Sequence, residues 1–189
     1  MTIENSKTLQ CLVNAFTGES LARNRYTIFA KIAKKEGFEL ISEIFLETAA
    51  NEEEHAKLFY KQIPNGMYIP DTTYPFFAGN TYENLISAAN GEKDEWEVIY
   101  KNSAQTAKNE GFTDISRLFT NIAEIEKRHA HRYSVLANQI KNETLYKKEE
   151  ISQWVCTKCG HTHIGKEAPC SCPVCNHVQS YFRLFTDNF

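Results

Sequence analysis

The chain contains an internal repeat, because a shift of 74 residues matches one part of the sequence to another. The segment Glu36-Gly37-Phe38 matches Glu110-Gly111-Phe112 at this shift. The further matched pairs are Ile41 and Ile115, Ser42 and Ser116, Phe45 and Phe119, Ala49 and Ala123, Glu52 and Glu126, His55 and His129, and Ala56 and Ala130. Helical periodicity alone would match apolar positions, but not glutamate, glycine and histidine as well. The repeat therefore predicts two copies of one helical hairpin.

Helical spacing of the apolar positions indicates four helices. Prolines occur only within positions 64–75 and 169–173, so long stretches of chain lack the residue that breaks helices. Asn80 with Glu83 three residues later resembles a helix cap, and residues 64–80 before it predict a long crossover. The sequence therefore predicts a mainly α protein, a four-helix bundle with its crossover between the second and third helices. The periodic segments are 3–35, 41–59, 85–102 and 115–133.

The repeat slips by one residue in the third helix. Tyr26 matches Tyr100 at a shift of 74, but Glu19 matches Glu92 at a shift of 73. One extra residue therefore lies between Glu92 and Tyr100. An inserted residue that preserves the helical phase on both sides predicts a π-bulge, a feature frequent at functional sites. The alternative is that the two helices have simply diverged at this point.

Five glutamates fall on the apolar faces of the predicted helices, where core side chains are expected. Burying unpaired carboxylates is costly, and few basic residues fall on these faces. Two divalent metal ions would supply +4 against the −5 of the glutamates. A single Glu-x-x-His motif is usually a solvated pair, but two in register favour the template of di-iron carboxylate bundles. The candidate ligands are Glu19, Glu52, Glu92, Glu95, Glu126, His55 and His129.

Five of the six cysteines lie near the C-terminus. Cys156 and Cys159 form one Cys-x-x-Cys motif and Cys172 and Cys175 form another, with twelve residues between the two. Four such thiolates can bind one metal tetrahedrally, and both zinc and iron fit them. Cys170 is expected to be a bystander. The remaining expectations are that Cys11 is a small apolar residue of the first helix and that His161, His163 and His177 are solvated.

Composition and charge indicate which partners, location and domain boundaries to expect for this chain. The net charge is −3 with no basic face, which argues against nucleic acid as a partner. No apolar run approaches the roughly 18 residues of a membrane span, and the first residues do not resemble a secretory signal, so we expect a cytoplasmic location. We expect the bundle at 1–145, a polar linker at 146–152 and a cysteine domain at 153–189.

With these motifs in place, the chain resembles the rubrerythrins. The resemblance spans nearly the whole chain and implies a ferritin-like di-iron bundle followed by a small rubredoxin-like β domain with one Fe(Cys)4 site. The cofactors would be two non-haem irons and one cysteine-bound iron per chain. The stretches that carry the resemblance are GESLARNRY at 18–26, ETAANEEEHA at 47–56, GEKDEW at 91–96, IAEIEKRH at 122–129 and the paired Cys-x-x-Cys motifs.

The resemblance also implies roles for individual residues. Glu52 and Glu126 would bridge the two irons, and His55 and Glu95 would exchange at one iron on oxidation. A more highly charged ion favours a further carboxylate, which makes this exchange chemically reasonable. Tyr26 and Tyr100 fall in phase with the ligands and could either line the site or pack in the core.

The activity implied by the resemblance is a peroxidase that reduces hydrogen peroxide to water in oxidative stress defence. Electrons would come from an external rubredoxin or an NAD(P)H-dependent reductase and pass through the rubredoxin-like iron. The family is usually dimeric, with the rubredoxin domain of one subunit facing the di-iron site of the other. The alternatives are an iron-binding or ferroxidase protein and a peroxide sensor.

Overall fold

A computed structural model describes residues 2–186 and shows a bundle of four long helical rods followed by a small sheet. A π-helical turn, Glu95–Ile99, joins α3 to α4 in a single rod, so five helical segments make four rods. The predicted ferritin-like bundle with a long crossover is confirmed. The helices are α1 (Lys7–Lys35), α2 (Glu39–Tyr60), α3 (Thr81–Asp94), α4 (Tyr100–Asn109) and α5 (Thr113–Lys141).

The helix ends follow the local signals in the sequence. Ser6 caps α1, its side chain accepting a hydrogen bond from the Leu9 amide at 3.1 Å, so this helix begins later than residue 3. The residues before it form a short 3-10 turn, Ile3–Asn5. Asn80 and Glu83 form the predicted capping box at the start of α3. Gly37, with φ of 83°, ends the first rod in the left-handed region that glycine tolerates best.

The two halves of the repeat are joined by matching hydrogen bonds. The carboxylate of Glu36 accepts from the backbone amide of Thr81 at 2.9 Å and from its hydroxyl at 2.6 Å. In the other half, Glu110 accepts from the amide of Thr8 at 2.8 Å and from its hydroxyl at 2.6 Å. Each hairpin loop thus holds the first turn of the opposite hairpin, and the bundle has an approximate two-fold symmetry.

The π-helical turn confirms the inserted residue in the third rod. The Tyr100 amide donates to the carbonyl oxygen of Glu95, five residues earlier. Glu92 before the turn and Tyr100 after it are both buried, so the wide turn absorbs one residue without rotating either flank out of the core.

Two aromatic clusters fill the bundle on either side of the glutamates. Tyr26, Phe45 and Tyr133 pack together in one cluster, with ring centroids 5.1–6.0 Å apart. Phe59 and Phe119 centre the other, with ring centroids 4.9 Å apart. Burial of a large apolar side chain stabilises a fold by about 1.5–3 kcal/mol. These clusters therefore stabilise helices whose middle layer carries acidic groups.

A three-stranded antiparallel sheet follows the bundle, in the order β2-β1-β3, and packs around Trp154 and Phe182. The predicted linker at 146–152 is wrong as a separate segment, because β1 begins at Lys147 and Lys147 pairs with Glu167. The first part of β1 is mostly exposed, so its polar composition resembles that of a linker. The strands are β1 (Lys147–Cys156), β2 (Thr162–Glu167) and β3 (Phe182–Leu184).

The predicted cysteine domain ends at 189, and its last three residues lie outside the described part of the chain. Among the described helices, none is both long and apolar enough to span a lipid bilayer.

Deleting Val98 from the π-helical turn tests whether the extra residue is accommodated there. We expect α3 and α4 to join as a regular α-helix with Glu92 and Tyr100 still buried, and the melting temperature to stay close to that of the wild type. Deleting Ile28 is the matched control, because Ile28 and Val98 are 51% and 52% exposed. The Ile28 deletion should rotate half of α1 by about 100° and destabilise the bundle strongly. Equal melting temperatures in the two deletions would contradict this interpretation.

Candidate metal centres

Six of the seven predicted ligand residues meet in the middle of the bundle, in two groups that share two glutamates. Within each group, one candidate ligand atom from every residue lies within 4.8 Å of the others. Each of the four rods contributes, since α1 and α3 supply one glutamate each and α2 and α5 supply one Glu-x-x-His motif each. The first group is Glu19, Glu52, His55 and Glu126, and the second is Glu52, Glu92, Glu126 and His129.

The two shared glutamates direct different oxygens to the two groups. His55 Nδ1 lies 2.9 Å from Glu52 Oε2 and 2.8 Å from Glu126 Oε1. His129 Nδ1 lies 3.3 Å from Glu52 Oε1 and 2.7 Å from Glu126 Oε2. A carboxylate that offers one oxygen to each of two neighbouring centres has the geometry of a bridging ligand.

The two outer glutamates are each held by a tyrosine from the other half of the repeat. The Tyr100 hydroxyl donates to Glu19 Oε1, and the Tyr26 hydroxyl donates to Glu92 Oε1. The second oxygen of each glutamate faces the histidine of its own group, at 3.8 Å for Glu19 and 3.5 Å for Glu92. Both tyrosines are also packed in the core, so they fulfil both of the roles that the sequence left open.

Unpartnered polar atoms in the two groups test whether they fit metal ions. Buried polar atoms almost always have hydrogen-bond partners. Within residues 2–186, several buried atoms in these groups make no hydrogen bond of acceptable geometry, even where a histidine nitrogen lies within 3 Å of a carboxylate oxygen. They are the atoms that face the centres of the groups. Carboxylate oxygens and imidazole nitrogens are suitable ligands for iron, and two ions would use these lone pairs. The atoms are Glu19 Oε2, both oxygens of Glu52, His55 Nδ1, Glu92 Oε2 and Glu126 Oε1.

Burial and mutual repulsion dominate the electrostatics of the metal-free site. Burial, with the charges of neighbouring glutamates, raises the pKa of Glu19 to about 8 and the pKa of Glu92 well above its ordinary value. Burial also opposes ionisation of Glu126, but His129 and His55 outweigh it and lower the pKa of Glu126 to about 2. The carboxylates in turn outweigh the burial of His129 and raise its pKa to about 12. Without metal, protons thus supply the positive charge.

Glu95, the seventh predicted ligand, lies outside both groups. It begins the π-helical turn and is only partly buried. It lines a cleft of about 930 Å³ between α1 and α3, which residues 72–75 and Phe77 of the crossover also line. Burial, followed by the charge of Glu92 and the other glutamates, raises the pKa of Glu95 well above its ordinary value. The structure therefore brings this carboxylate near the two groups without placing it in either.

A basic residue that was not predicted from the sequence also lines this cleft. Arg25 follows Glu19 by six residues, is only 8% exposed and lines the same cleft as Glu95. The signal available in the sequence was the charge count, because five glutamates exceed two divalent ions by one negative charge.

The four cysteines of the paired motifs meet in a second candidate metal site. The Sγ atoms of Cys156 and Cys175 are 3.7 Å apart, and those of Cys159 and Cys172 are 3.6 Å apart. A tetrahedron of thiolates about 2.3 Å from a metal has edges of about 3.8 Å, whereas a disulfide requires about 2.05 Å. The spacing fits a metal and not disulfides. Cys170 is exposed and lies outside the group, as expected.

Two equivalent turns present these cysteines. The Gly160 amide donates to the Cys156 carbonyl, and the Asn176 amide donates to the Cys172 carbonyl, both at 2.9 Å. Each donor residue has a positive φ, 76° at Gly160 and 60° at Asn176. Glycine adopts this conformation freely. Asparagine is among the few other residues that adopt it readily.

Two family models match this chain. The family model described as "Rubrerythrin" matches residues 10–137 and 83–157, and the one described as "Rubrerythrin, rubredoxin-like domain" matches residues 154–183. The chain belongs to the rubrerythrin family. Family membership agrees with the site, since the chain carries the residues of a di-iron carboxylate site and a four-cysteine rubredoxin-like site.

Curated relatives and solved structures agree with this family. Rubrerythrin-1 of Clostridium acetobutylicum is 44% identical over 100% of this chain and 99% of its own length. Rubrerythrin of Nitratidesulfovibrio vulgaris is 39% identical over 100% and 99%. The structure of nigerythrin in its fully reduced, all-ferrous state has a TM-score of 0.65 and 32% identity, covering 96% of this chain and 90% of that one. The bacterioferritin of Desulfovibrio desulfuricans, 21% identical, has a TM-score of 0.65 over 72% of this chain and 81% of its own, and shows the shared fold.

The pKa shifts predict that the metal-free bundle becomes less stable as the pH rises from about 5 to about 8. Protonated Glu19 stabilises the fold fully below its ordinary pKa of 4.5, and this stability is lost as the pH approaches its folded value of about 8. The raised pKa of His129 acts in the same direction above 6.5, whereas the contribution of Glu126 is complete above 4.5. The measurement is the melting temperature by far-ultraviolet circular dichroism.

Two controls accompany this pH series. Glu19→Gln keeps a neutral side chain at every pH and should reduce the slope. Saturating zinc should reverse the slope, because metal binding displaces protons and strengthens as the pH rises. A melting temperature that rises with pH in the metal-free wild type would contradict the electrostatic description of the site.

Proposed function

We propose that this chain is a non-haem di-iron peroxidase that reduces hydrogen peroxide to water with electrons relayed through its own four-cysteine iron. The observation that carries the proposal is the pair of buried groups joined by Glu52 and Glu126, present in the same chain as a four-thiolate site. Two ferrous ions would supply the two electrons that peroxide needs, and the cysteine-bound iron would return electrons singly. Iron storage alone would not need such a relay.

The proposed ligands of the di-iron site are the six residues of the two groups, with Glu95 as an additional carboxylate. Glu52 and Glu126 are assigned as bridges, because each directs one oxygen to each group. Glu19 with His55 and Glu92 with His129 are assigned as the terminal ligands. On oxidation, Glu95 is proposed to replace His55, as the family resemblance implies. The iron of the relay is assigned to Cys156, Cys159, Cys172 and Cys175.

Tyr26 and Tyr100 are proposed to fix the terminal carboxylates during the reaction. Burial raises the pKa of both hydroxyls well above the ordinary value, so each keeps its proton and donates it to one glutamate oxygen. The other oxygen of Glu19 and Glu92 then remains directed at its metal position. The cleft that Glu95 and Tyr100 line is the proposed entrance for peroxide.

The position of the cysteine site within one chain supports a homodimer. Tyr181, which accepts a backbone hydrogen bond from Thr157 beside the cysteine site, donates its hydroxyl to Glu39 at 3.1 Å. Glu39 is the first residue of α2, and Glu52 lies thirteen residues further along it, which is about 20 Å of helix. Electron transfer slows steeply with distance. We therefore propose that the cysteine site of one copy serves the di-iron site of another.

The wider context of the reaction is also a proposal. Electrons would reach the cysteine-bound iron from an external rubredoxin or an NAD(P)H-dependent reductase. Six free cysteines, four of them grouped for a metal, are typical of a reducing compartment, so the cytoplasm is the proposed location.

Stopped-flow spectroscopy of the anaerobically reduced, iron-loaded protein tests this function. On mixing with hydrogen peroxide, the absorbance of the oxidised cysteine-bound iron should recover quickly, and recovery with dioxygen should be much slower. Glu95→Ala should slow recovery with peroxide by about tenfold or more, a barrier increase of about 1.4 kcal/mol. The matched control is Glu97→Ala, since Glu97 lies on the same turn but is exposed and 3.7 Å from Lys93.

A form that retains the cysteine-bound iron but lacks the di-iron metals completes the experiment. Recovery at one rate in this form, in Glu95→Ala and in the wild type would show that the di-iron site is not the peroxidase. An iron-binding or ferroxidase function, or a peroxide sensor, would then be better supported than a peroxidase. Iron oxidation and storage would require sustained uptake of iron per chain, and a peroxide sensor would require a partner that responds to the oxidised relay.

A further inference from the structure

Arg25 is a buried cation with unused hydrogen-bond donors. Its side chain extends from α1, and its guanidinium carbon lies 4.8 Å from the centre of the Tyr74 ring on the crossover. Within residues 2–186, neither Nε nor Nη1 has a hydrogen-bond partner. Buried guanidinium groups are normally paired with acceptors. Two unused donors in a cleft therefore indicate that a negatively charged group joins Arg25 in another state of the protein.

Gly91 on α3 makes room for this guanidinium. A Cβ atom at position 91 would lie 3.1 Å from Arg25 Nη2, closer than such contacts normally are. The backbone of α3 therefore approaches Arg25 closely at Gly91. Glu95 follows Gly91 by four residues on the same rod and lines the same cleft as Arg25.

The charge count identifies Glu95 as the group that Arg25 is suited to bind. Two divalent ions balance the four glutamates of the two groups, and the two histidines are neutral as metal ligands. Glu95 is the fifth glutamate, lies outside both groups and lines the same cleft as Arg25. Its negative charge and the positive charge of Arg25 are therefore the two charges that remain uncompensated.

The electrostatics of Arg25 agree with this pairing. Burial opposes its charge, but Tyr26, Tyr74 and Glu95 outweigh burial, so the pKa of Arg25 stays above its ordinary value. The guanidinium is therefore charged at any working pH.

We propose that Arg25 is a positioning residue that holds the Glu95 carboxylate in the cleft while the bundle contains two divalent ions, and yields it to the metal when the ions become trivalent. The added positive charge of trivalent ions competes with the guanidinium for the carboxylate, and trivalent ions favour a further oxygen ligand. The inference rests on the proposed function, in which the metals are iron and change oxidation state. In this proposal, Arg25 determines whether the Glu95 carboxylate stays in the cleft or binds the metal.

The crystal structure of the zinc-loaded protein tests the first half of this proposal, because zinc stays divalent. In the wild type, we expect the Glu95 carboxylate to be hydrogen-bonded to Arg25 and not bound to zinc. In Arg25→Gln, we expect Glu95 to bind a zinc ion. Arg25→Lys keeps the positive charge and should retain the wild-type position of Glu95. Binding of Glu95 to zinc in the wild type, or an unchanged Glu95 in Arg25→Gln, would overturn the proposal, as would Glu95 on the metal in Arg25→Lys.

The reduction potential of the di-iron site tests the second half. Arg25→Gln should lower the potential, because it removes the pair with Glu95 that stabilises only the reduced state. The shift should largely disappear when Arg25→Gln is made in a Glu95→Gln background, since coupled residues do not give additive effects. Arg23→Gln is the matched control: Arg23 lies on the same helix but is exposed and bonded to Glu53 at 3.1 Å. An equal shift in both backgrounds would show that Arg25 does not act through Glu95.

These outcomes are separable from those for the proposed function. The zinc-loaded structures do not depend on peroxide chemistry, so failure of the stopped-flow experiment would leave them decisive for the position of Glu95. Conversely, fast reaction with peroxide would not rescue the role of Arg25 if Glu95 keeps one position in all the zinc-loaded variants.

Discussion

The whole bundle depends on placing ionisable carboxylates where a helical protein normally places leucine. Glu19, Glu52, Glu92 and Glu126 are each at most 1% exposed, between two aromatic clusters. A buried carboxylate without a counter-charge costs several kcal/mol, which is comparable to the net stability of a domain. The helices can therefore hold this layer only with protons or metal ions in it. The same helices therefore form both the hydrophobic core of the bundle and its metal site.

The repeat explains how one chain builds two similar metal positions. Each half supplies a Glu-x-x-His motif, and each tyrosine donates to the outer glutamate of the other half. The loop glutamates Glu36 and Glu110 bind across the halves in the same way. Because these contacts cross from one half to the other, neither hairpin is complete alone. The π-helical turn breaks this symmetry on one side only and introduces Glu95 there.

This asymmetry gives the two metal positions different surroundings. Glu95 and Arg25 lie in the same cleft between α1 and α3, while the histidines face the opposite side, where they line a groove between α2 and α5. A carboxylate and a cation are therefore available on one side, and imidazoles on the other. In the proposed reaction, a change in the charge of the metal would determine whether the carboxylate or an imidazole binds it.

Much of this arrangement could be predicted from the sequence, because its signals are local or periodic. The Glu-x-x-His motifs fix their own spacing on a helix, the capping box at Asn80 fixes a helix start, and the one-residue slip in the repeat indicated the π-helical turn. The beginning of β1 was missed because an exposed strand can be mostly polar.

The burial of Arg25 in the cleft was missed for a different reason. An arginine beside other polar residues on α1 has no pattern of its own, and only the packing of α3 against it shows that it is buried. The separation of Glu95 from the other ligands depends likewise on how the wide turn directs its side chain, which spacing alone does not reveal.

The central claim is that metal ions compensate the buried carboxylates. The most direct measurement is anomalous diffraction at the iron absorption edge from crystals of the anaerobically iron-loaded protein. The structure predicts two iron positions in the bundle, each bound by an oxygen of Glu52 and of Glu126, and a third among the four cysteines. A bundle without iron, with these carboxylates hydrogen-bonded only to water or to one another, would contradict the claim.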